Sequence, residues 1–181
     1  MNSHKPMHAV IPGLGQRSLK TALATAILAL LYLPFGENPT FACIGVIFGM
    51  GNSIEDSKKN GGNRLIGTII GGLLGIGIFW VERLIFPNGN YYLKVILIFF
   101  GVILLVWSSV AFKWPGAVQP GGVVLCIILF NTPADHVTYY AFGRMIDTAI
   151  GVIFAIAVNE VFKRNRVDRW LKREVVGETG K

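Results

Sequence analysis

Charge is scarce in this chain. Only 15% of its 181 residues are Asp, Glu, Lys or Arg, against 52% hydrophobic residues, which leaves too little polar surface to cover a soluble domain of this size. There are two cysteines, Cys43 and Cys126, each inside an apolar run (FACIGVIF and VLCIILF). That placement excludes a disulfide framework and reads as small buried thiols. The histidines His4, His8 and His136 are scattered, and neither an HExxH nor a paired Cys/His spacing is present, so no metal and no other cofactor is expected. A GxxxxGK phosphate loop is lacking, which argues against direct ATP drive. No GxSxG is found either, and nothing points to an enzyme. A cleavable leader is also missing. The first sixteen residues are polar or turn-forming and the apolar run after Lys20 has no small-residue cleavage site, so the first helix is expected to stay as an anchor.

What is abundant is apolar helix. A mean hydropathy of +0.55 indicates an all-α integral membrane protein. The net charge of +7 is not spread over a soluble face but gathers at chain ends and in a few loops, which argues for a lipid bilayer as partner and against nucleic acid. After a cytoplasmic tail at 1–16, six transmembrane helices are expected at about 17–35, 40–53, 64–84, 92–112, 117–131 and 139–162, followed by a basic amphipathic tail at 163–181 that rests on an anionic inner leaflet. Helices two and five are short. Their apolar runs fall below the roughly 20 residues needed to cross hydrocarbon, and NPT opens one as QPGG opens the other.

The stretch Gly61 to Gly77, GGNRLIGTIIGGLLGIG, sets Gly67, Gly71 and Gly75 at every fourth residue, with Thr68 and Gly72 in a second row. In a bilayer this spacing lets another helix approach closely. Arg144, Thr148 and Gly151 repeat the order of Arg64, Thr68 and Gly71. Matched short helices and matched arginine-headed helices describe two three-helix repeats, 17–86 and 91–162, and an odd number of spans per repeat makes them inverted. With both termini in the cytoplasm, fourteen Lys and Arg lie inside and three (Arg83, Lys94, Arg144) outside, which favours that orientation in the cell (plasma) membrane.

Intramembrane charge carries the chemistry. A guanidinium binds carboxylates at two points in one plane, so Arg64 near the cytoplasmic mouth and Arg144 near the outer mouth are candidates for an anion pathway. Interfacial anchoring is the competing reading for both. Asp147, three residues after Arg144, is either its ion-pair partner or a proton-coupling group. Gly67, Thr68, Gly71, Gly75, Thr148 and Gly151 read first as helix packing.

The segments IPGLGQRSLKTALAT, ENPTFACIGVIFGM, SKKNGGNRLIGTIIGGLLG and FGRMIDTAIGVIFAIAVN resemble the small bacterial branch of the aromatic acid exporter and fusaric acid resistance superfamily, over about 14–162. RSLKTA, RLIGTIIGGLLG and RMIDTAIG are the most specific pieces. The resemblance implies a six-helix domain exporting aromatic or other carboxylic acids, and a more distant likeness to plant aluminium-activated malate transporters, which are dimeric anion channels. It singles out Arg64 and Arg144, then Lys20 and Arg17. Many members carry a soluble domain after the sixth helix, where here about nineteen residues follow Phe162. A homodimer is expected to complete the bundle. Two other functions fit the same residues: a passive anion channel, and a structural membrane subunit that transports nothing.

Overall fold

The computed structural model describes residues 16–162, and within them every regular element is helical. The order is α1 (Gln16–Tyr32), α2 (Thr40–Gly49), α3 (Ile54–Ile85), α4 (Tyr91–Ala111), α5 (Val118–Asn131) and α6 (Val137–Val161), with single 3-10 turns after α1 and before α5 and α6. Four spans, Arg17–Phe35, Ile54–Ile85, Tyr91–Ala111 and Ala134–Val161, are long and apolar enough to cross a membrane. Of the expected tails at 1–16 and 163–181, all but Gln16, where α1 begins, lies outside the described residues.

Helix α4 shows why the chain belongs in lipid. Its 21 residues reach about 31 Å, the thickness of a bilayer core. Only Gly101, Leu105 and Ser109, one residue per turn, are buried against the protein, while Phe99, Phe100, Ile103 and Trp107 face outward. In water such a face would be an unusually large apolar patch.

Helix α3 is the central element, packed against α2, α4, α5 and α6, and α1 closes the side made by α2 and α6. It begins ten residues before the expected start at 64. The cause is local. Ser53 accepts the amide of Asp56 while the Asp56 carboxylate accepts the amide of Ser53, a reciprocal capping box that starts the helix at Ile54. Correspondingly α2 stops at Gly49 rather than 53, and ten residues give it about 15 Å, half a bilayer.

The break between α2 and α3 is held from across the bundle. The Asn159 side-chain amide donates to the carbonyls of Gly51 (3.3 Å) and Ser53 (2.9 Å) and to Ser57 Oγ (2.9 Å), and Ser57 Oγ accepts the Gly51 amide at 2.8 Å. The bonds to Gly51 and Ser57 are buried, so removing their donor strands acceptors that have no water to turn to. Asn159→Ala is expected to lower stability by about 1–3 kcal/mol, read as an earlier thermal transition of the detergent-solubilised protein. An unchanged transition would show that the break holds without Asn159.

Two helix pairs touch through glycine. Gly71 of α3 lies on Gly121 of α5, where a methyl group on Gly71 would run into the Gly121 carbonyl. Gly151 of α6 lies on Gly45 of α2, and a methyl on Gly45 would come within 3.1 Å of the Gly151 Cα. At both contacts backbone meets backbone, so the absence of a side chain sets the helix separation. At the other end of α3 the buried Glu82 pairs with Lys94 at 3.7 Å and accepts the Asn90 amide at 3.1 Å, tying the end of α3 to the start of α4.

Candidate functional site

Arg64 sits nearly three turns into α3, after Asn60 and Asn63. Spacings of three and four residues put all three on one helix face. The residue is 6% exposed, and its Nε is buried without a hydrogen-bond partner. No carboxylate lies within ion-pair distance of it among the described residues. An uncompensated guanidinium in such a place is costly, and guanidinium offers five donors with a strong preference for anions.

The cavity beside it measures about 540 Å³, within the range of small-molecule sites. Arg17 from α1, Asn60, Asn63 and Arg64 from α3, and Gln119 at the start of α5 supply its polar lining; Ile47, Phe48, Pro120 and Val123 supply its apolar wall. The Arg64 guanidinium lies 5.5 Å from the Phe48 ring centre. Among the described residues no acidic side chain lines this cavity. Chemically it offers charge-assisted and amide donors at one side and an apolar surface at the other, which suits a small anion with an apolar body.

Arg144 is placed differently. Its guanidinium lies 4.0 Å from the centre of Phe41 and 4.6 Å from that of Tyr140, and its Nη2 contacts Asp147 Oδ2 at 3.1 Å. Tyr32, at the end of α1, donates its hydroxyl to the other Asp147 oxygen at 3.1 Å. Phe41 and Phe48 are seven residues apart on α2, a rise of about 10 Å, so the two arginines meet that helix toward opposite ends.

The structure brings Arg17 and Arg64 together and leaves Lys20 apart. Lys20 Nζ donates to the carbonyl of Phe162 at 2.5 Å, an interaction that satisfies an orphan carbonyl at the end of α6. Thr68, in turn, gives its hydroxyl to the Arg64 carbonyl at 2.9 Å and so faces its own helix. Thr148 is fully buried, and its Oγ1 has no partner. Gly67 lies against Ala117, Pro120 and Gly121, and Gly75 against Ile128, which completes the packing row expected on α3.

Several lining residues escaped sequence reasoning. Asn60 and Asn63 carried a legible signal in their spacing to Arg64. Tyr140, four residues before Arg144 on α6, carried the same kind of signal. Tyr32, Phe41, Phe48 and Gln119 did not, because each comes to an arginine from another helix.

A family model described as fusaric acid resistance protein-like matches residues 16–158. At 29% identity over 149 residues the chain is also similar to UPF0421 protein SSP0904 of Staphylococcus saprophyticus, the match covering 81% of this chain and 42% of that protein. The chain thus spans about two fifths of the length of that relative.

Proposed function

The chain belongs to the fusaric acid resistance protein-like family, a family of membrane transporters, and on that premise we propose that it exports small organic anions, aromatic carboxylic acids foremost, by a secondary mechanism. The observation that carries this reading is Arg64: a buried cation without a carboxylate partner among the described residues, set in a cavity with Arg17, three side-chain amides and Phe48. The carboxylate of the substrate completes the charge, and its ring lies on the apolar wall.

In this reading the six helices cross the plasma membrane as two inverted repeats with both termini in the cytoplasm. Two features support it. Arg64, Thr68 and Gly71 on α3 recur as Arg144, Thr148 and Gly151 on α6, and each of these glycines meets a glycine on a short helix, Gly121 and Gly45 respectively. The arginines also lie toward opposite ends of α2. The short helices α2 and α5 then line the path, as broken or short helices do in transporters. A homodimer covers the outward faces left bare by a single chain.

The test is flux in vesicles reconstituted with the purified full chain and loaded with benzoate. Efflux that responds to an imposed proton gradient supports coupled export. Electrogenic efflux indifferent to that gradient makes the protein a passive anion channel. No efflux above protein-free vesicles refutes transport and leaves a structural membrane subunit.

A further inference from the structure

Arg64 and Arg144 hold matched places in sequence, yet among the described residues only Arg144 has an anion of its own. Asp147 touches it through one guanidinium nitrogen at 3.1 Å, with the two side chains 14% and 16% exposed. The Nε of Arg144 is buried and has no partner. The rings of Phe41 and Tyr140 crowd the guanidinium at 4.0 and 4.6 Å, so an anion must approach it along its edge. That edge is half used. Asp147 makes a one-point contact, whereas a free carboxylate can bind a guanidinium through two parallel hydrogen bonds.

Asp147 also has a second partner waiting. Tyr32 donates to Oδ1, the oxygen that Arg144 Nη2 does not contact in this pair. The carboxylate can therefore leave Arg144 while remaining hydrogen-bonded to α1.

We propose that Arg144 is a second anion site closed by Asp147, an internal carboxylate that Tyr32 holds in register and that a travelling anion must displace. The inference rests on the reading of Arg64 as an anion site. It adds an exchange step: an anion moving along α2 takes the edge of Arg144, Asp147 shifts to Tyr32 alone, and the return of Asp147 expels the anion. Tethering makes that return fast, because Asp147 never leaves the neighbourhood of the guanidinium. A path with two equally open arginines would hold its cargo at the second; this one releases it.

Benzoate binding to the purified full chain in detergent, followed by titration calorimetry, tests the proposal. The wild-type chain is expected to bind one benzoate, lost in Arg64→Gln. Asp147→Ala empties the space beside Arg144 and is expected to bind two. The second site should be at least about tenfold tighter than any residual binding in the Asp147→Ala, Arg144→Gln double variant. Asp147→Glu keeps the internal anion and should still bind one. Asp147→Asn, which removes the charge and keeps the shape, is expected to add a weaker second phase, and it decides the matter if Asp147→Ala does not fold. No binding phase beyond those of the wild-type chain in any folded variant of Asp147→Ala and Asp147→Asn overturns the proposal. If the wild-type chain binds no benzoate, the reading of Arg64 fails on its own, while one benzoate bound by Asp147→Ala and lost with Arg144→Gln still sustains the role of Asp147.

Discussion

Replacing Gly71 by leucine is expected to abolish the folded protein, and even Gly71→Ala should lower its stability by about 1–3 kcal/mol or more. The reason is what a new methyl group would meet. At Gly71 it is the carbonyl oxygen, carbon and Cα of Gly121, all backbone, so relief requires α3 and α5 to move apart rather than a side chain to turn. Overfilling a packed contact costs on this scale, and the helix propensity gained by replacing glycine recovers only about 1 kcal/mol. Gly77, on the same helix, supplies the control. Nothing lies within 4 Å of a methyl placed there, so Gly77→Ala should be neutral or slightly stabilising. Thermal transitions of the three variants in one detergent check the contrast. Equal transitions for Gly71→Ala and Gly77→Ala would show that the α3 and α5 contact does not limit stability.

Arg64→Gln is expected to reduce benzoate transport efficiency by about tenfold to a hundredfold, since a charge-assisted hydrogen bond to a carboxylate contributes about 1.5–3 kcal/mol. Arg64→Lys should fall between, keeping the charge but losing the planar fork that meets both carboxylate oxygens. Stability should move the other way. Without a bound anion, Arg64 is a buried cation whose Nε has no partner, so its neutral replacement should raise the thermal transition or leave it unchanged. Added benzoate should then stabilise the wild-type chain and not Arg64→Gln, because only the wild type binds it. Loss of both stability and flux in Arg64→Gln would make the arginine part of the scaffold, its guanidinium held by packing on Phe48 rather than kept for a substrate.

Much of the site was legible in one dimension. Arg64 and Arg144 stand out because a charge inside an apolar, glycine-studded helix is rare and costly, and composition alone exposes that conflict. Asp147 follows from its three-residue spacing to Arg144, and the pair is present at 3.1 Å. The start of α3 shows where such reading stops. The run IEDSKKNGGN is polar, so hydropathy places it in a loop, but Ser53 and Asp56 cap it as helix and Asn159 anchors the turn before it. The capping spacing was available; its weight against the polar composition was not. Lys20 shows the converse: the resemblance names it with Arg17, and nothing in the sequence shows that its ammonium reaches the carbonyl of Phe162 at the end of α6.

Sequence was sufficient for properties that repeat along a helix: the membrane class, the glycine rows and the matched spacing of Arg64, Thr68 and Gly71 with Arg144, Thr148 and Gly151. What required the folded chain is everything that depends on which helix faces which. That Gly71 meets Gly121 and Gly151 meets Gly45, that Phe48 and Phe41 set the two arginines at opposite ends of α2, and that Tyr32 reaches Asp147 across 115 positions are contacts between residues remote in the chain. Apolar helices in lipid have no hydrophobic difference to choose partners by. Their pairing is decided by fit and by a few buried polar groups, and those act only once the helices have come together.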